Sequence, residues 1–157
     1  AVLTSSEIYD AFYGDYLSGK AFLHSNTYCG YAIGAAAALE ALKIYEDEKI
    51  IERVDRDACE LRGMMENIAA ETGALRNIRS LGFVCAADLV DPSNGRPYPR
   101  ERRIGFRFFT EAVRLGAFLR PLGDTIYFLP PLNISKEALH KIGKIAQDAV
   151  SMASPGK

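Results

Sequence analysis

Cysteine and histidine are scarce in these 157 residues, with three of the first, Cys29, Cys59 and Cys85, and two of the second, His24 and His140. An odd number of widely spaced cysteines without a C-x-x-C excludes a disulfide framework and a zinc knuckle, and implies a reducing, cytoplasmic setting. An excess of either charge is also missing. Nineteen Lys and Arg stand against twenty Asp and Glu for a net charge of −1, which argues against a nucleic-acid binder built on a basic face. No long apolar run is present. The longest charge-free stretch lies between Lys20 and Glu40, but His24, Ser25, Asn26, Thr27 and two glycines interrupt it, so no membrane span is expected. The chain opens Ala1-Val2-Leu3-Thr4 without a basic or apolar leader, which excludes a signal peptide and is expected of a piece cut from something longer. Neither G-x-G-x-x-G nor G-x-x-x-x-G-K-[ST] occurs.

What is there is an ordinary globular composition, 48% hydrophobic and 25% charged. A chain of about 150 residues buries roughly 70% of its unfolded surface, so one real core is expected. Ser5 or Ser6 before Glu7-Ile8-Tyr9 has the form of a helix N-cap, with the helix ending near Gly14. Residues 20–30 mix aromatic, hydroxyl, Gly and His groups without a period and read as a loop. The Ala-rich run from Tyr31 to Tyr45 has charges at Glu40, Lys43 and Asp47, predicting a mostly buried helix with one wet stripe. Ile51, Val54, Ala58, Leu61, Met65 and Ile68 predict an amphipathic helix that Gly73 stops.

In the second half, Phe83, Cys85, Ala87 and Leu89 alternate as a strand before the turn-rich Asp91-Pro92-Ser93-Asn94-Gly95. Ile104, Phe108, Ala112 and Leu115 mark a helix closed by Gly116. Ala117 to Arg120 and Thr125 to Leu129 read as two short strands around Pro121-Leu122-Gly123-Asp124. Ser135 caps a last helix with the stripe Leu139, Ile142, Ala146 and Ala149. The expected class is α+β, with helices packed on a small antiparallel sheet.

Chemistry concentrates at two places. His140 stands beside Lys141 on a helix surface, and His24 has no Cys, Asp or Glu at a ligand or triad spacing, so no metal site is expected. Ser25, Asn26 and Thr27 supply short donors ahead of a helix whose first N–H groups and positive dipole end suit an anion, with Thr27 the best hydroxyl for a phosphate. A simple cap for that helix is the rival reading of the three. The Arg120 guanidinium, before a fixed Pro turn, suits a bidentate carboxylate grip, against the alternative of a surface ion pair. No lysine sits where a Schiff-base nucleophile would be expected, and Lys20 alone is near the anion loop.

Two segments carry a resemblance: Ala21-Phe22-Leu23-His24-Ser25-Asn26-Thr27-Tyr28 before an Ala-rich helix, and Leu119-Arg120-Pro121-Leu122-Gly123-Asp124-Thr125-Ile126-Tyr127-Phe128-Leu129-Pro130-Pro131. In this order they resemble the C-terminal part of the class III, fold-type I pyridoxal-phosphate aminotransferases, an α/β superfamily, and the likeness covers essentially the whole chain. Within that family the branch resembled is the one of biotin biosynthesis. Ser25-Asn26 and Tyr31 depart from the usual loop, where Gly-Pro or Gly-His and Asn are familiar.

The resemblance implies a homodimer in which Thr27, helped by Ser25 and Asn26, reaches the phosphate of the neighbouring subunit's pyridoxal 5'-phosphate. It implies that Arg120 binds the carboxylate of the amino acceptor, 8-amino-7-oxononanoate, converted to 7,8-diaminononanoate with S-adenosylmethionine or lysine as donor. The Schiff-base lysine and the acid facing the pyridine nitrogen are then expected upstream of Ala1, and the fragment alone is expected to be inactive. Residues 1–30 would be a remnant of the large cofactor-binding domain with its phosphate-contacting loop, 31–72 connecting helices, and 73–157 the small C-terminal α+β domain, with a former interface left open to association. The rival enzyme reading is a class III aminotransferase for ornithine, 4-aminobutyrate or an ω-amino acid, in which an Arg often stands where this chain has Tyr127. A rival from another class is a non-catalytic dimerisation or regulatory domain.

Overall fold

A computed structural model describes residues 3–154, which divide into two compact units with the boundary between Lys43 and Ile44. In the first unit, helix α1 (Ser6–Phe12) starts where Ser5 Oγ accepts the Ile8 N–H at 3.4 Å, as the cap signal predicts. A 3₁₀ turn at Tyr16–Ser18 follows, then the expected loop, and α2 (Ala32–Asp47) begins after a turn closed by Gly30, whose φ of 68° favours glycine. The predicted burial of α2 is corrected: none of its residues is buried, and Ile33, Leu39 and Leu42 are 71%, 69% and 62% exposed. Alanine propensity forms the helix, and no described residue of this unit covers its apolar positions.

The second unit has a core. Helix α3 (Ile50–Thr72) ends at Gly73, which takes φ 66° and donates its N–H to Ala69 O. Leu61, Met65 and Ile68 are buried as the periodicity predicts, whereas Ile51 is exposed and its neighbour Ile50 is buried instead. Strands β1 (Leu75–Leu81), β2 (Val84–Leu89) and β3 (Thr125–Phe128) form an antiparallel sheet in that order. Cys85 stands opposite Phe128 and Ala87 opposite Ile126, so the alternate residues that pair across β2 and β3 share the buried face. Burial also pushes the Cys85 thiol above its usual range. Helices α4 (Ile104–Arg114) and α5 (Lys136–Ala153) pack on each other, and α5 also contacts α3. Phe108 from α4 and Leu139, Ala146, Ala149 and Val150 from α5 join the same core. Ser135 Oγ accepts the Ala138 N–H at 3.2 Å, the expected cap of α5.

Two strand expectations change. β1 is an additional strand, hidden in the sequence because a bulge between Arg76 and Arg79, with Asn77 at φ 53°, breaks the alternation, and because Leu75 alone of its residues is buried. Residues 117–120 are irregular rather than a strand, and Pro121 beyond them has no N–H for a ladder.

Asp88 pins the bulge from the outer face of the sheet. Its carboxylate accepts from Asn77 Nδ2 at 2.8 Å, Arg79 Nη2 at 3.0 Å and Thr125 Oγ1 at 2.7 Å. Partial burial pushes its pKa up, but the bonds from Asn77, Thr125 and Arg79 outweigh that and hold the carboxyl below the usual Asp range. Its stabilising contribution is therefore present above the unfolded-state value of about 3.9 and is lost as pH falls through the lower folded value. Asp88→Asn is expected to reduce stability by about 1 kcal/mol at neutral pH, the partial exposure keeping the figure low. Denaturant titrations at stepped pH check this, since the gap to wild type should close only in acid.

Candidate active site

The loop of the first unit is held by its own backbone. Cys29 N–H donates to Asn26 O at 2.9 Å, and the Asn26 N–H points at Cys29 Sγ at 3.3 Å. Tyr31 O accepts the first N–H of the α2 ladder, from Ala35, at 3.0 Å. Among the described residues the side chains of Ser25, Asn26 and Thr27 make no hydrogen bond, so none of the three caps α2. Their hydroxyl and amide groups are exposed and available to a ligand. Asn26, Tyr28, Gly30 and Tyr31 border an open groove along the start of α2. Two hydroxyls and an amide beside it are a donor set that fits a phosphate group.

Arg120 belongs to the second unit, on the irregular arm between α4 and β3. The arm is fixed after Arg120 by a tight turn in which Leu122 and Thr125 exchange backbone bonds of 2.8 and 3.0 Å across Gly123 and Asp124. Asp124 ties this turn to two elements. Its carbonyl accepts the Leu89 N–H at 2.9 Å, and its Oδ1 accepts the Gly105 N–H at 2.7 Å at the start of α4, where the helix dipole favours a carboxylate. Gly105 is buried here because the turn leaves no room: a Cβ would run into the Gly123 carbonyl and stand 3.2 Å from Asp124 Cα.

The guanidinium of Arg120 is exposed, and no carboxylate among the described residues pairs with it, so the surface ion pair is not formed. Arg120 borders two grooves. One, of about 480 Å³, is apolar and is shared with Tyr127, Phe118, Leu129 and Pro131. The other, of about 690 Å³, is shared with Arg100, Arg103, Phe106, Phe109 and Asp124. The fold thus brings Arg120 and Tyr127 to one groove. Arg103, Gly105 and Asp124 were not singled out by the sequence, which carries no motif at Arg103 and in which a glycine gives no sign of its neighbours.

Neither histidine is among the residues that border these grooves. His140 Nε2 meets Glu60 Oε1 at 2.6 Å, joining α5 to α3, and this bond, with Lys136 at 3.3 Å, lowers the Glu60 pKa. Among the described residues no group of three His, Cys, Asp or Glu is placed to hold a metal ion, and no helix is long and apolar enough to cross a membrane.

Residues 1–150 match the class-III aminotransferase family, and the chain belongs to that family. It is 36% identical over 151 residues to the adenosylmethionine-8-amino-7-oxononanoate aminotransferase of Anoxybacillus flavithermus, covering 96% of this chain and 33% of that protein. It is 35% identical over 145 residues to a protein of Oryza sativa named probable gamma-aminobutyrate transaminase 3, covering 90% of this chain and 28% of that one. The crystal structure of the adenosylmethionine-8-amino-7-oxononanoate aminotransferase of Methanocaldococcus jannaschii superposes with a TM-score of 0.81 at 28% identity, covering 94% of this chain and 34% of the other. This chain therefore spans about a third of the length of the relatives it matches.

Proposed function

We propose that this chain is the C-terminal part of a pyridoxal 5'-phosphate-dependent aminotransferase of biotin biosynthesis, which converts 8-amino-7-oxononanoate to 7,8-diaminononanoate. The observation that carries the reading is the unpaired Arg120 guanidinium on the groove it shares with Tyr127. The donor is S-adenosylmethionine or lysine. Relatives named for this activity, one of them 36% identical, support the substrate assignment. The protein of this reading is a cytoplasmic homodimer, whose large domain and second subunit cover the exposed apolar residues of α2. In the same reading residues 1–30 belong to the cofactor-binding domain, 31–72 connect, and 73–157 form the small domain.

The cofactor supplies the electron sink of the reaction when bound. The residues of this chain do the holding. Thr27, with Ser25 and Asn26, donates to the phosphate, and Arg120 receives the substrate carboxylate in a planar fork that a lysine cannot reproduce. The cofactor lysine lies outside the chain, so the 157 residues alone are expected to show no transamination above a free-cofactor blank. Thr27→Ala in the full-length protein is expected to weaken cofactor affinity roughly tenfold, the loss of one hydrogen bond to a charged group, as read by equilibrium dialysis. Competition between 8-amino-7-oxononanoate and succinic semialdehyde as acceptors tests the substrate reading. Preference for the oxononanoate supports it, and preference for the semialdehyde moves the assignment to the 4-aminobutyrate enzymes.

A further inference from the structure

We infer that Arg103 is a second guanidinium contact for the substrate carboxylate and sets specificity for acceptors that combine an apolar chain with a terminal anion. The inference rests on the reading of Arg120 as the carboxylate grip. Three guanidinium residues, Arg100, Arg103 and Arg120, border one groove, and Asp124 alone among its lining residues is acidic. That carboxylate is already engaged, through Oδ1, with the Gly105 N–H. No described residue accepts a hydrogen bond or forms an ion pair with Arg103 or Arg120, so three guanidinium groups face a single carboxylate and the groove carries a net positive charge.

Arg103 is also placed rather than loose. It has the left-handed backbone φ 47°, ψ 48°, which costs a residue with a Cβ about 1–2 kcal/mol, and it caps α4 without any side-chain cap bond. Its guanidinium carbon lies 4.5 Å from the centre of the Phe106 ring, a cation–π arrangement that orders the side chain and leaves the donors at its rim free. Phe106 and Phe109, 6.3 Å apart between ring centres, give the groove an apolar wall beside the cations. An inorganic anion would use the charges and leave this wall bare. An aliphatic carboxylate uses both, which is the chemistry of the proposed acceptor.

The test uses the full-length protein and nonanoate as the probe, with nonanamide as its uncharged counterpart, both followed by calorimetry. Arg103→Gln is expected to weaken nonanoate binding roughly five- to tenfold and to leave nonanamide unchanged. Arg107→Gln, which removes the same charge from an exposed position of α4 outside the groove, is expected to change neither. Nonanoate binding as in wild type, or equal weakening of nonanoate and nonanamide, would overturn the inference, the second because it would make Arg103 a packing residue. Arg120→Gln separates the two claims. An effect at 120 with none at 103 removes only this inference, while nonanoate binding untouched by Arg120→Gln removes the underlying reading.

Discussion

Replacing Arg120 by alanine in the full-length protein is expected to lower kcat/KM for the oxononanoate acceptor by roughly 30- to 1,000-fold, on the order of 2–4 kcal/mol of transition-state binding. The size follows from the geometry. Arg120 stands on an arm fixed by Pro121 and by the Leu122–Thr125 turn, and no described carboxylate competes for its donors. A ligand carboxylate therefore meets a guanidinium that has no existing pair to break, and its removal leaves that carboxylate without its bidentate partner. Arg120→Lys keeps the charge and loses the fork, so it should recover only part of the loss. Steady-state kinetics of the two variants check this, and an unchanged kcat/KM for Arg120→Ala would remove Arg120 from the site.

Gly105→Ala is expected to destabilise the protein by about 3 kcal/mol or more, at the upper end of what overpacking costs. The added Cβ meets backbone on both counts, the Gly123 carbonyl and Asp124 Cα, and neither can swing aside as a side-chain tip would. Relief requires α4 to part from the turn, which breaks the 2.7 Å bond from Gly105 N–H to Asp124 and shifts the arm bearing Arg120. The variant should then show a lowered Tm and, where it still folds, a raised KM for the carboxylate substrate. Gly63→Ala is the control. Gly63 lies inside α3 with nothing within 4 Å of an added Cβ, so the change should be neutral or stabilising by about 0.5–1 kcal/mol. Equal Tm values for the two alanine variants would contradict the close approach described here.

The elements that the sequence announces are those governed by local rules. Ser5 and Ser135 cap α1 and α5 as their positions predict, Gly73 stops α3, and Leu61, Met65 and Ile68 of α3 with Leu139, Ala146 and Ala149 of α5 face the core. What was hidden depends on contacts distant in sequence. β1 carries a bulge at Asn77 whose partner is Asp88, and such a break in the alternation cannot be told from a loop by its own seven residues. The segment 117–120 has strand-like residues but no partner strand to pair with, so propensity alone misassigned it. α2 formed where alanine propensity placed it, yet none of its residues is buried among the described residues, because propensity forms a helix without supplying a surface to cover it.

The candidate site divides in the same way. Thr27 and Arg120 could be singled out as candidates because a hydroxyl-rich loop before a helix and an Arg before a rigid turn each imply a chemistry from residue type and position. Arg103 and Asp124 were not, because their relevance lies in what they approach. The Phe106 ring beneath Arg103 and the Gly105 N–H beside Asp124 become neighbours only once α4 and the turn meet.

The central claim is that these residues serve the amination of 8-amino-7-oxononanoate. The most direct measurement is formation of 7,8-diaminononanoate by the full-length protein supplied with pyridoxal 5'-phosphate, with S-adenosylmethionine and lysine offered as donors in parallel. The account predicts product with one donor or the other. Bound cofactor with no product from either donor would contradict it and return the substrate to the wider class III family.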